Sequence, residues 1–122
     1  MNGRVFFYAV LLCSGLAYAD LGAEIKQQQE IEARLQSELK EQKKSSIKAY
    51  QDICDFANAS SLNRDEQIKR LAAANEIWDI FIEKTCEAEV LESIGTRAEY
   101  TSTLQCMVNK YKEKESFFSS LF

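Results

Sequence analysis

The chain has 122 residues, 15 basic and 19 acidic, for a formal charge of −4, with neither histidine nor proline. The acidic balance argues against nucleic acid, which needs a basic face. Missing histidine removes the usual general base and the commonest metal ligand, and missing proline leaves no residue that forces a helix to break.

Residues 1–4 carry one positive charge, residues 5–16 are apolar and uncharged, and Ala17-Tyr18-Ala19 precedes Asp20. Small residues three and one before an acidic start are what a signal peptidase reads. The apolar run is shorter than the roughly 20 residues a spanning helix wants. These features predict cleavage between Ala19 and Asp20 and a periplasmic or secreted product with no stable membrane insertion. The rival is a lipid anchor on Cys13, but Leu11-Leu12 stand where a lipobox places a small residue. Cleavage leaves 14 basic against 19 acidic residues, a formal charge of −5, and a length suited to one small domain.

The first helix is expected from about Leu21 to Ala57. Leu21, Ile25, Leu35 and Leu39 share a stripe with Gln28 and Glu32 between them, a polar-diluted seam suited to thin burial or to a partner helix. The apolar signal lapses at Lys43-Lys44-Ser45-Ser46, where an interruption or kink is allowed. It resumes with Ile47, Tyr50, Ile53 and Ala57 at helical spacing. The expected parts are thus a leader over 1–19, a polar helix over 20–46 and a helical domain over 47–122. After a turn at 58–62, Asn63 with Asp65 and Glu66 reads as an N-terminal cap. The second helix carries Ile68, Leu71, Asn75, Trp78, Ile82 and Thr85 and is expected to run to Ser93. Gly95 is the natural stop. Thr96 with Glu99 makes a second capping box, opening a third helix that carries Tyr100, Leu104, Met107, Tyr111, Phe118 and Leu121. The predicted fold is all-α, three helices up-down-up.

Three cysteines follow the leader. Cys86 and Cys106 are equidistant from Thr96, the predicted turn, so an antiparallel hairpin sets them side by side and a disulfide is expected between helices two and three. Cys54 lies just before the first turn, at the level of Gln67 on the second helix. From there to Cys86 the helix climbs roughly 28 Å at about 1.5 Å per residue, too far for a bridge. Cys54 is expected to be unpaired within the chain, either as a buried thiol or as an intermolecular bridge in a homodimer. A zinc site lacks both spacing and histidine.

Trp78-x-x-Phe81, Cys86, the Gly95-Thr96 turn and Cys106, with Tyr50 and Ile53 upstream, resemble the LprI family of small secreted bacterial proteins, named for lysozyme inhibition. The resemblance spans roughly residues 47–114. Ile82-Glu83 stand where that family often has Arg-Asp or Arg-Asn, and the turn has one glycine where it has two. The resemblance implies a secreted helical protein that inhibits lysozyme.

Trp78 reads first as a core side chain beside the disulfide and, if exposed, as an interface anchor. Glu76, Asp79, Glu83 and Glu87 lie along one side of the second helix. A solvated face accounts for them, and general acid–base work would need a pocket that three thin helices hardly offer. No enzyme activity and no cofactor are expected. The same acidic row is the candidate face for steering a basic partner such as lysozyme. The alternative is an assembly or adaptor protein that self-associates, coiled-coil fashion, through the Leu21–Leu39 seam, with Phe117-Phe118 through Phe122 docking on a partner or covering the bundle end near Cys54.

Overall fold

A computed structural model describes residues 2–122, with side chains described from Leu21 onward. The expected leader over 1–19, Cys13 and the cleavage point after Ala19 lie outside the residues whose side chains are described. The elements are α1 (Asn2–Asn58), α2 (Arg64–Glu89), a 3₁₀ turn (Leu91–Ser93) and α3 (Ala98–Ser120), with no strand among the described residues. The chain divides into two units, Met1–Ala33 and Arg34–Phe122. In the first, Leu21 and Ile25 are exposed. The second is the predicted three-helix bundle, and it begins well before Ile47, the start expected from the sequence.

Within Arg34–Phe122, α1 and α3 climb together. Gln36 donates to the Tyr100 hydroxyl at 2.7 Å, Lys43 lies over the Tyr111 ring, and Tyr50 meets Phe118 edge to face at 5.2 Å. Helix α2 connects them and runs antiparallel to both, giving the up-down-up order.

The α1 stripe explains why no interruption occurs near Ser45. Leu35, Leu39, Ser46, Ala49, Ile53 and Ala57 are the buried positions, and α1 is continuous through them. Ser46 is fully buried, and its hydroxyl donates to the Lys43 carbonyl at 2.8 Å, so it costs no unsatisfied polar group. Steps of four and three from Leu35 carry the seam through Ser46, one residue ahead of Ile47. At 3.6 residues per turn Ile47 is rotated off that face, and it is half exposed.

Helix α2 buries Leu71, Ile82 and Cys86, with Ile68, Asn75, Trp78 and Thr85 half-buried, as its stripe predicts. Its ends differ from expectation. Asn63 holds the cap position but in the left-handed region, φ 56°, and its side chain makes no capping bond. Glu66 pairs with Arg70 at 3.0 Å instead of closing a box, while Asp65 and Glu66 still place negative charge in the first turn. The α-helix stops at Glu89 and tightens into the 3₁₀ turn, so Gly95 does not end it directly. Gly95 sits at φ 76° where the chain reverses, a conformation that glycine adopts without strain. The second capping box is displaced by one residue. The Thr96 amide is already spent on the Ser93 carbonyl, and the Glu99 carboxylate accepts from the Gly95 amide at 2.8 Å instead.

Helix α3 buries Leu104, Cys106, Val108, Lys114 and Phe118. Tyr100 is half exposed, off the core. Two apolar clusters result. One gathers Ala49, Ile53, Ala57, Leu71 and Phe118, and the other gathers Ile82, Cys86 and Cys106; Trp78 packs against both.

Candidate functional site

Cys86 and Cys106 form the disulfide between α2 and α3, with Cα atoms 5.6 Å apart. Both sulfurs are buried beside Ile82, Trp78, Met107 and Tyr111. The bridge therefore closes the turn end of the hairpin from inside. The Glu89 carboxylate approaches Cys106 Sγ at 3.1 Å and pairs with Lys110 at 3.5 Å. A bridged sulfur carries no hydrogen, so the first approach is a contact and not a hydrogen bond.

Cys54 is free and half-buried. It packs against the cluster of Ile53, Leu71 and Phe118 at the far end of the bundle, with Tyr50 and Leu121 beside it. The pKa of the Tyr50 hydroxyl is raised above its ordinary value, by burial first and then by the neighbouring Cys54 thiol. The C-terminal aromatics cover this end: Phe118 is fully buried and Phe122 lies against Phe56 at 5.2 Å.

The motif residues separate into three places. Tyr50 faces Phe118 across α1 and α3. Gly95 and Thr96 form the exposed turn. Trp78 and Phe81 meet edge to face at 5.7 Å, and Phe117 lies 5.6 Å from Trp78 on the other helix. Phe81 is 45% exposed, Phe117 is 36% exposed and the adjacent Ile77 is 63% exposed, so this aromatic row forms an apolar patch across the outside of the α2–α3 hairpin. Trp78 is thus both a core contact and the inner anchor of a surface patch.

The acidic row is not uniform. Glu76 and Glu83 are exposed and form no ion pair among the described residues, while Glu87 pairs with Lys84 at 3.5 Å. Asp79 is drawn inward, its Oδ1 accepting from Lys114 Nζ at 2.8 Å. At 3.6 residues per turn, Glu83 and Phe81 point to opposite flanks of α2, so the carboxylates and the aromatic patch are separate surfaces.

Lys114 is the residue the apolar pattern passed over. Its side chain is 3% exposed, it pairs with the half-exposed Asp79, and its ammonium also lies 5.8 Å from the centre of the Tyr111 ring. Lys43 approaches the same ring at 5.5 Å. Burial raises the Tyr111 hydroxyl above its ordinary value, and the Asp79 and Glu83 carboxylates push it further. The one signal available in sequence was positional: Lys114 stands between Tyr111 and Phe118 at core spacing.

Among the described residues, no cluster of cysteine, aspartate and glutamate is placed to hold a metal ion, and no helix is long and apolar enough to cross a membrane. No protein-family model matches the chain, and no curated protein or solved structure matches it.

Proposed function

We propose that this is a secreted or periplasmic binding protein that occludes a basic partner, with cell-wall hydrolases of the lysozyme type as the first class to test. The observation that carries the reading is the aromatic row in which exposed Phe81 and Phe117 flank the half-buried Trp78, on a hairpin held rigid by a buried disulfide. Aromatic side chains on a pre-organised surface are the usual anchors of protein interfaces. The formal charge of the whole chain is −4, and the unpaired Glu76 and Glu83 on the neighbouring flank add to a field that steers a basic protein inward. The disulfide fits an oxidising compartment, and the leader pattern at residues 1–19 points the same way.

The test is inhibition of purified lysozymes of several types by the oxidised protein at low salt. Near-stoichiometric inhibition is expected, weakened at least about tenfold by Phe81→Ser, as for loss of an interface hot spot. Failure against every type by the correctly folded protein overturns the lysozyme reading.

A second reading has its own observation. Leu21, Ile25, Gln28, Glu32, Leu35 and Leu39 continue one four-and-three repeat, and Leu21 and Ile25 at its start are exposed. Such a repeat suits pairing with a second copy. Sedimentation distinguishes the two: inhibition by a monomer supports occlusion, and a dimer lost when residues 20–33 are removed supports assembly.

A further inference from the structure

We propose that the cleft centred on Lys114 binds a small organic anion carrying one carboxylate. The cleft has a volume of about 340 Å³ and is open to solvent between α1, α2 and α3, with Lys43, Tyr50, Gln51, Asn75, Tyr111 and Lys114 among its lining residues. That size lies at the lower end of the range of small-molecule sites, which runs from about 300 Å³ upward.

Three features give the cleft its chemistry. First, an ammonium offers three hydrogen-bond donors, and the buried Lys114 spends one on Asp79. A buried charge with donors to spare is costly unless something polar takes them, and the cleft is where an acceptor can enter. Second, the charges lining it do not balance. Lys43 and Lys114 bring two positive charges against Asp79 alone, and Lys43 forms no ion pair among the described residues. Glu83, close enough to influence Tyr111, lies outside the lining. Among the lining side chains the surplus is one positive charge, and Glu83 nearby offsets part of it, so a monoanion is favoured over a dianion. Third, both ammonium groups flank the Tyr111 ring, and Ile47 adds an apolar wall. The walls thus accept a short apolar body while the carboxylate reaches the lysines. The side chains of Asn75 and Gln51 also line the cleft and form no side-chain hydrogen bond among the described residues, so their amides are available to fix orientation.

The experiment is a titration of the folded, oxidised protein with benzoate, acetate and inorganic phosphate, followed by backbone amide NMR. Benzoate is expected to saturate, with shifts centred on Asp79, Tyr111 and Lys114, and to bind more tightly than acetate or phosphate. Lys114→Met is expected to weaken benzoate at least about tenfold, the scale of a lost hydrogen bond to a charged group, and Lys43→Gln to weaken it less. Lys112→Gln, exposed on α3 and outside the cleft, is expected to leave binding unchanged. Helical content measured on each variant separates lost binding from lost folding, and Lys43→Gln tests the site even where Lys114→Met does not fold. The proposal is overturned by any of three results: benzoate does not saturate, Lys112→Gln weakens it as much as Lys43→Gln, or a folded Lys114→Met binds it unchanged.

Discussion

Lys114 and Asp79 form an unequal pair, because Lys114 is 3% exposed and Asp79 is 52% exposed. Removing the carboxylate strands a buried ammonium, whereas removing the ammonium leaves a carboxylate that water can reach. Asp79→Ala should therefore cost about 1–3 kcal/mol, discounted from the fully buried case for solvent at Asp79. Lys114→Met keeps the volume and removes the buried charge, and should be close to neutral. Urea melts of the two variants check the asymmetry, and a larger loss from Lys114→Met would contradict it. Tyr111 makes a second prediction. Its proton is held more tightly in the folded chain than in the unfolded one, so the resulting stability is fully present below the ordinary tyrosine value of 10.0. It is lost as pH rises through the raised folded value. Tyr111→Phe should flatten that alkaline decline, measured as melting temperature against pH. Hydrophobic periodicity located Tyr111 and Phe118 but not Lys114, since a charged residue at a core position is visible only through the partner that satisfies it.

At the scale of elements, the disulfide is the largest single contributor that can be removed cleanly. It joins residues 20 apart, and the chain-entropy account gives a loop of this size about 3 kcal/mol. The double variant Cys86→Ala with Cys106→Ala should lose about that much in urea unfolding while keeping its helices, because the cluster around Ala57, Leu71 and Phe118 does not contain the bridge. The pairing was legible because turn position and cysteine spacing are both local facts about a hairpin. Cap geometry was less so. Asn63 holds the expected cap position but Thr96 does not, since α3 opens at Ala98 with Arg97 as its cap, and which hydrogen bond each side chain makes depends on backbone angles such as the positive φ of Asn63 and on amides already engaged, as at Thr96. The α1 register was misread at Ile47 because Ser46, small and self-satisfied, carries no apolar signal.

For the whole molecule, the compact unit opens at Arg34, so the truncation that tests the N-terminal helix must end before Leu35. A chain starting at Arg34 should melt cooperatively, with a smaller loss of stability than removal of the disulfide causes. A chain starting at Ile47 lacks the buried Leu35, Leu39 and Ser46 and should be far less stable. Thermal unfolding of both shortened chains by circular dichroism decides it. The three-helix order followed from periodicity and short turns, whereas the Lys114 cleft did not, because it joins residues from three helices that only the packed bundle brings together.

Trp78 is the single tryptophan of the chain and packs against both apolar clusters, one of which holds the disulfide. The disulfide of that cluster is expected to drain the excited indole by electron transfer, so the oxidised protein should emit weakly. Reduction should brighten it before the far cluster loosens, and full unfolding should then move the emission to longer wavelength. The same side chain thus provides two separable optical signals, one for the redox state of the hairpin and one for the integrity of the bundle.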